Sequence, residues 1–183
     1  MRTATMLREP RVESARLVLR PLVEGDLDDL IAEVNDLAVA RMLAKVPYPY
    51  TRRDGEAFLA ASRRYGGIDF ALAVTYENRV VGGIGLSAVR SQGEFGYWLG
   101  RRHWGKGFAT EAGHAFLAHV FDAFDLKLIR SGVFADNPAS LRVQEKLGFA
   151  ESGRRRVDCL ARGCKVDHID TTLTRASFRK LVP

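Results

Sequence analysis

Cysteine is nearly absent from this chain. Cys159 and Cys164 are its only two, too few for a disulfide framework. A zinc site built on them needs two further ligands, and His168 alone does not supply them, so no metal is expected. If residues 160–163 form a hairpin tip, the two thiols face each other across it as a reduced pair, the state a cytosolic compartment maintains. Long apolar runs are also missing. None approaches the ~20 residues of a membrane span, and residues 1–13 lack the apolar stretch of a secretion signal. A cytoplasmic protein with no membrane partner is expected. No repeat, low-complexity tract or linker divides the 183 residues, a length that suits one domain with a substantial core. The net charge of +6 is spread along the chain without a long basic block. The densest run, Arg154-Arg155-Arg156, is short enough to be a solvated strand face. That argues against nucleic acid and points instead to an acidic ligand or partner surface.

What is present reads as one α/β (α+β) domain over residues 14–183, behind a flexible leader of residues 1–13. A strand at 16–22 leads through Gly25-Asp26 into a helix carrying Leu27, Leu30, Ile31 and Val34 at helical spacing. A second helical stretch is expected at 38–43, ended by Pro47 and Pro49. Thr51 caps a further helix, with Asp54 as its capping-box partner, running to about residue 65 before Gly66-Gly67. A meander follows, with strands at 70–76 and 79–89 about a turn at Glu77-Asn78. Gly82, Gly83 and Gly85 in its second strand signal a bulge or a close backbone approach. Strands at 94–99 and 127–135 flank a long helix, a right-handed crossover that makes them parallel. A helix after Asn137 and a hairpin of 151–159 with 165–174 complete a mixed, largely antiparallel twisted sheet of about six to seven strands flanked by helices.

The most informative segment is residues 96–112. A strand runs into a basic, glycine-rich turn and then into a helix anchored by Phe108, Ala112, Ala115, Phe116 and Val120. Gly105 and Gly107 leave the backbone open to a ligand, and Arg101, Arg102 and Lys106 add charge. Unpaired N–H groups and the positive end of the helix dipole favour a phosphate or pyrophosphate in such a turn. Gly100, Gly105 and Lys106 match most of a nucleotide-binding P-loop, but position 107 is glycine and the hydroxyl that would hold Mg²⁺ is missing. A charged turn ahead of an ordinary helix is the plainer alternative. A second segment, residues 136–149, has its own logic: Asn137 as N-cap, Pro138 at the first helical position and Gly148 at the end.

Arg102-x-x-Gly105-x-Gly107 before a helix resembles the pyrophosphate loop of the GNAT N-acetyltransferase superfamily. Asn137, Ser140 and the closing Lys146-Leu147-Gly148-Phe149 resemble that superfamily's last-helix segment, in the right order and at a fitting distance. Residues 14–22 with 26–30 look like the start of its RimJ/RimL-like branch, so the likeness covers nearly the whole chain.

The resemblance implies acetyl-CoA as donor and a primary amine as acceptor, with two splayed parallel strands clasping the pantetheine arm. A backbone N–H at Trp98 or Leu99 would polarise the thioester carbonyl. Arg102, His103, Trp104, Gly105, Lys106 and Gly107 would surround the pyrophosphate. Phe108, Ala109 and Thr110 would start the helix beneath it, and Asn137 would lie near the reactive end. Many members carry a tyrosine in the last helix as acid for the leaving thiolate. Here that register falls on Gln144, and Ser140 takes the place as partner of the sulfur. Glu94 is the candidate general base, with Asp158 and Glu151 behind it. The acceptor is expected to be a protein N-terminus, ribosomal protein included. The alternatives are a small-molecule amine (aminoglycoside, polyamine or amino-acid derivative) and an acyl-CoA-binding module without catalysis. Residues 46–51 and 161–165 are expected to border the acceptor groove of a monomer or homodimer.

Overall fold

The computed structural model describes residues 10–62, 70–87 and 93–178. Among them lie eight strands in one sheet: β1 (Val12–Glu13), β2 (Val18–Arg20), β3 (Phe70–Tyr76), β4 (Arg79–Ser87), β5 (Glu94–Leu99), β6 (Leu128–Phe134), β7 (Ala150–Cys159) and β8 (Cys164–Thr174). Their spatial order is β1-β2-β3-β4-β5-β6-β8-β7. Five α-helices accompany them: α1 (Leu27–Val34), α2 (Leu37–Ala40), α3 (Arg52–Ser62), α4 (Phe108–Ala123) and α5 (Pro138–Leu147). The mixed, largely antiparallel sheet is the one expected, with one strand more. Val12 and Glu13, assigned to the flexible leader, pair with Leu19 and Val18 instead. Two residues give no readable alternation, and their order comes from α4. Glu111 accepts from the Ser14 hydroxyl and from the Arg16 N–H, each at 2.7 Å, and so fixes the turn between β1 and β2. The expected end of α3 near residue 65, and residues 1–9 of the leader, lie outside the described residues.

Local chemistry sets the helix ends. The Thr51 N–H donates to Asp54 at 2.8 Å, the reciprocal half of its cap. The Asn137 side chain accepts from the Ser140 N–H at 3.1 Å, and Gly148 closes α5 in the left-handed conformation at φ +95°. Gly163 turns the β7–β8 hairpin tip at φ +63°, with Cys159 and Cys164 in register across it, the first thiol buried toward the Arg41 and Leu43 carbonyls and the second exposed. One core lies between the sheet and α4 with α5, built on Phe70, Phe95, Phe116, Leu117, Ile129 and Leu173. A second lies on the other face beneath α1 and α3, on Leu27, Leu30, Val34, Leu59 and Val80. Among the described residues no helix is long and apolar enough to cross a membrane.

Two features place the site. Among the described residues β5 and β6 share one parallel register, Glu94↔Arg130, and part beyond it. The glycines of β4 explain the other. A Cβ at Gly83 would fall 2.7 Å from Trp98 Nε1, and one at Gly82 would run into the Trp98 carbonyl. The close approach foreseen from the glycine run is therefore the seat of the Trp98 indole. β6 is pinned from the opposite side. The Gln144 side chain, 1% exposed, donates to Ser131 Oγ at 2.8 Å and accepts from Thr171 Oγ1 at 2.6 Å.

Gly82→Ala is expected to destabilise the fold by about 1–3 kcal/mol, because β5 cannot retreat without unseating Trp98. A urea unfolding midpoint equal to that of the parent protein would contradict this.

Candidate active site

The glycine-rich turn occupies the end of β5. Residues Arg101–His103 make one 3-10 turn, and Gly105 (φ +74°) and Gly107 (φ +79°) then take left-handed conformations. A side chain is strained at such angles, and glycine is not. Nothing lies within 4 Å of a Cβ built at Gly105, so the turn is open. No side chain caps α4. The N–H groups of Phe108, Ala109 and Thr110 have no intrahelical acceptor, and they head 16 residues of aligned dipoles. This is an anion cradle made of main chain.

Cations surround it unevenly. Lys106 is exposed on the turn. Arg16, not singled out from the sequence, reaches the same place. Its guanidinium pairs with Glu111 at 2.7 Å, lies 4.7 Å from the centre of the Phe108 ring and approaches Gly107. Arg102 is committed elsewhere, paired with the buried carboxylate of Glu33 from α1. His103 is turned inward, its Nε2 3.4 Å from the same carboxylate. Its ring therefore acts as packing and support for the turn. Trp104 ties the turn to the strand by donating from Nε1 to the Leu99 carbonyl at 2.8 Å.

The fork between β5 and β6 lies behind the cradle. Gly100 donates its N–H to Val81 of β4 at 2.9 Å. Strand alternation then turns the Trp98 main-chain groups to β4, and those of Tyr97 and Leu99 to the fork. Of the two residues expected to offer an N–H there, the geometry favours Leu99. Asn137 stands at the start of α5, beside the fork. Ser140, one turn on, meets a residue the sequence reading passed over: Tyr97 Oη lies 2.7 Å from Ser140 Oγ. Burial pushes the Tyr97 phenol up to about 12, more than the Ser140 hydrogen bond lowers it, so it stays protonated. Gln144 points into its buried network and not toward Ser140.

Glu94 sits exposed at the single shared register, where the fork begins. The weaker candidates lie farther out on β7, with Glu151 held by Arg154 at 2.7 Å and Asp158 opposite Lys165. The hairpin tip is braced against the segment after α2. Leu160 donates to the Ala44 carbonyl at 3.1 Å, and Asp136 bonds both Arg162 (2.8 Å) and Arg41 (3.0 Å). This brings the tip, expected at the acceptor groove, against residues 41–44.

These features match a known family. Residues 16–150 match the acetyltransferase (GNAT) domain, and the chain belongs to that family. Membership makes acetyl-CoA the acyl donor and N-acetyl transfer the reaction class. The uncharacterised N-acetyltransferase p20 of Bacillus licheniformis is 29% identical over 158 residues, covering 83% of this chain and 89% of its own. The fold is shared with Mycobacterium smegmatis RimJ, solved with CoA-disulfide (TM-score 0.81, 20% identity, 92% of this chain and 88% of that one). It is shared also with Vibrio cholerae spermidine N-acetyltransferase, solved with CoA and spermine (TM-score 0.76, 21% identity, 89% and 98%). The uncapped helix, the open glycine turn and the fork suit a diphosphate followed by an extended amide tether.

Gly105→Asp is expected to weaken coenzyme A binding at least tenfold, about 1.4 kcal/mol or more, by straining the turn and adding negative charge. Calorimetric titration reads this directly. Burial pushes the Glu111 carboxyl up, but hydrogen bonds from Ser14 and Arg16 and the Arg16 charge outweigh it and hold the carboxyl below its ordinary range. The stabilisation is therefore present above the ordinary glutamate pKa and lost as pH falls through the depressed one. Glu111→Gln should make stability less dependent on pH across that acidic window; unchanged acid unfolding would refute the coupling.

Proposed function

We propose that this protein acetylates primary amines and that its acceptor is the N-terminal amine of a protein or peptide, as in the RimJ/RimL-like branch. The observation that carries the reading is the uncapped α4 N-terminus facing an open glycine turn at the mouth of the β5–β6 fork. Arg16 and Lys106 would accompany the diphosphate, with Arg102 held beside it by Glu33. The Leu99 N–H would polarise the acyl carbonyl. Ser140, with its Tyr97 partner, would hydrogen-bond the departing sulfur.

Charge supports a peptide acceptor over a polyamine. Arg41 and Arg162 share one carboxylate, Asp136, and Arg162 lies over the Phe134 ring on the acceptor side of the sheet. A polycation would meet like charge there. Proton chemistry points the same way. An α-amine has a pKa of about 8 and lysine about 10.4, and the gap makes neutral lysine costlier by about 3.4 kcal/mol.

Free thiol release from acetyl-CoA, measured against N-terminal peptides, polyamines and aminoglycosides, tests this. Turnover is expected with peptides and not with spermidine, and acetyl-CoA at about 100 times its Kd should stabilise the protein by about 2.7 kcal/mol in a thermal shift. No release with any amine would overturn the acetyl-transfer reading. Release with polyamines alone would replace the peptide acceptor.

A further inference from the structure

The fork has two faces, and groups able to move a proton stand on both. Ser131 of β6 points to α5 through Gln144, so Gly132 and Phe134 point the other way. Their partners on β8, Asp170 and His168, share that face, as does Arg155 opposite His168 on β7. His168 is 14% exposed, with Nδ1 2.8 Å from Asp170 Oδ1. Asp170 is fixed in turn by Arg155 Nε at 2.9 Å. An ionised carboxylate only accepts, so Nδ1 carries the proton and Nε2 presents its lone pair. Among the described residues nothing hydrogen-bonds Nε2.

Where that lone pair sits is the telling point. The Cε1–Nε2 edge of the ring lies over Gly132, and a Cβ built there would be 2.8 Å from Nε2. Gly132 is two residues past Arg130, the last shared register before β5 and β6 part. The imidazole thus covers the start of the fork on the face opposite Tyr97 and Ser140. The His168 side chain keeps 14% of its surface exposed, so the ring is reachable from solvent.

We infer that His168, oriented by Asp170, is the general base that takes the proton of the acceptor amine at the fork. This rests on the acetyl-transfer reading above. The amine nitrogen bonds the acyl carbon and gives one proton to Nε2. The carbon–sulfur bond breaks with its electron pair going to sulfur, which accepts the Ser140 hydrogen bond and takes a proton from water. The imidazolium returns its proton to the hydroxide so formed.

The charged groups facing the ring are Asp170 on its own strand, Arg155 on β7 and Glu94 on β5, with the Phe134 ring edge-on from β6 at 5.8 Å. Burial pushes the imidazole below the ordinary histidine range, Arg155 adds to this, and Asp170 and Glu94 oppose it. The net direction is downward, so the ring is neutral at pH 7, as a base must be. Glu94, the carboxylate expected as base from the sequence, acts here through its charge on His168.

The test uses the full chain as wild type, His168→Gln, Asp170→Asn and Glu94→Gln. It reads kcat/KM against pH with the best peptide, the coenzyme A thermal shift, and the histidine ¹⁵N spectrum of ligand-free protein. His168→Gln is expected to lower kcat/KM about 10²–10⁴-fold, to remove the acid limb that reports His168, and to leave the coenzyme A shift unchanged. Asp170→Asn should lower it less and turn the Nδ1–H tautomer of His168 into a mixture. Wild-type kcat/KM and an unchanged acid limb in His168→Gln, with the loss carried by Glu94→Gln, overturn the inference. So does an Nε2–H tautomer or an imidazolium at pH 7, whatever the turnover. A wild type that acetylates no amine defeats the acetyl-transfer reading and this inference together. An active wild type beside an unaffected His168→Gln defeats this inference alone.

Discussion

β5 and β6 lie side by side in the middle of a sheet, yet among the described residues their main chains share one register. Interior strands normally satisfy their main-chain groups along both edges, and unpaired groups there are costly when dry. The fork therefore persists only because other contacts forbid its closure. On the β5 side, the Trp98 indole is seated on Gly83 and keeps that strand against β4. On the β6 side, all seven residues from Leu128 to Phe134 are in register with β8, and Gln144 joins Thr171 to Ser131, whose hydroxyl donates to the Phe95 carbonyl at 2.9 Å where the strands begin to part. Each strand is committed to its outer neighbour, and with the Phe95 and Leu99 carbonyls already taken by Ser131 and Trp104, the opening leaves the Tyr97 main chain and the Leu99 N–H for an extended amide chain.

The electrostatics of the cradle follow the same economy. Main-chain N–H groups at α4 carry no counter-charge and need none, so they favour an anion without the desolvation burden of a bare cation. Where full charges occur they are mostly neutralised: Arg16 by Glu111 and Arg102 by Glu33. A buried carboxylate such as Glu33 is tolerable only beside a cation. Gly100 makes room for it, since any Cβ there would run into the carboxylate.

Much of this was legible in the chain. Caps are local, so Thr51 with Asp54, and Asn137 with Pro138 and Gly148, announced their helices. The glycine turn and its basic neighbours announced an anion site for the same reason. The parting of the strands could be expected only from the family resemblance. Pairings between distant residues were not legible. Tyr97 with Ser140, His168 over Gly132, Arg16 beside Gly107 and Glu33 with Arg102 all depend on register and on which face a side chain takes. A one-residue slip would undo each of them. Gln144 looked like a substituted acid until its neighbours showed it to be a core crosslink. His168 looked like a failed metal ligand because its partner, Asp170, is of use only across a pleat.

The two ends of the sheet also differ in kind. β1 contributes just Val12 and Glu13, too short a rim to template another chain. At the opposite margin β7 is long and solvent-facing, and it bears Arg154, Arg155 and Arg156 in succession. Each guanidinium there is paired with a carboxylate of the same hairpin: Arg154 with Glu151, Arg155 with Asp170 and Arg156 with Asp167. This margin of the eight described strands is thus a rim of self-neutralised ion pairs, which edge-to-edge pairing would have to strip of water.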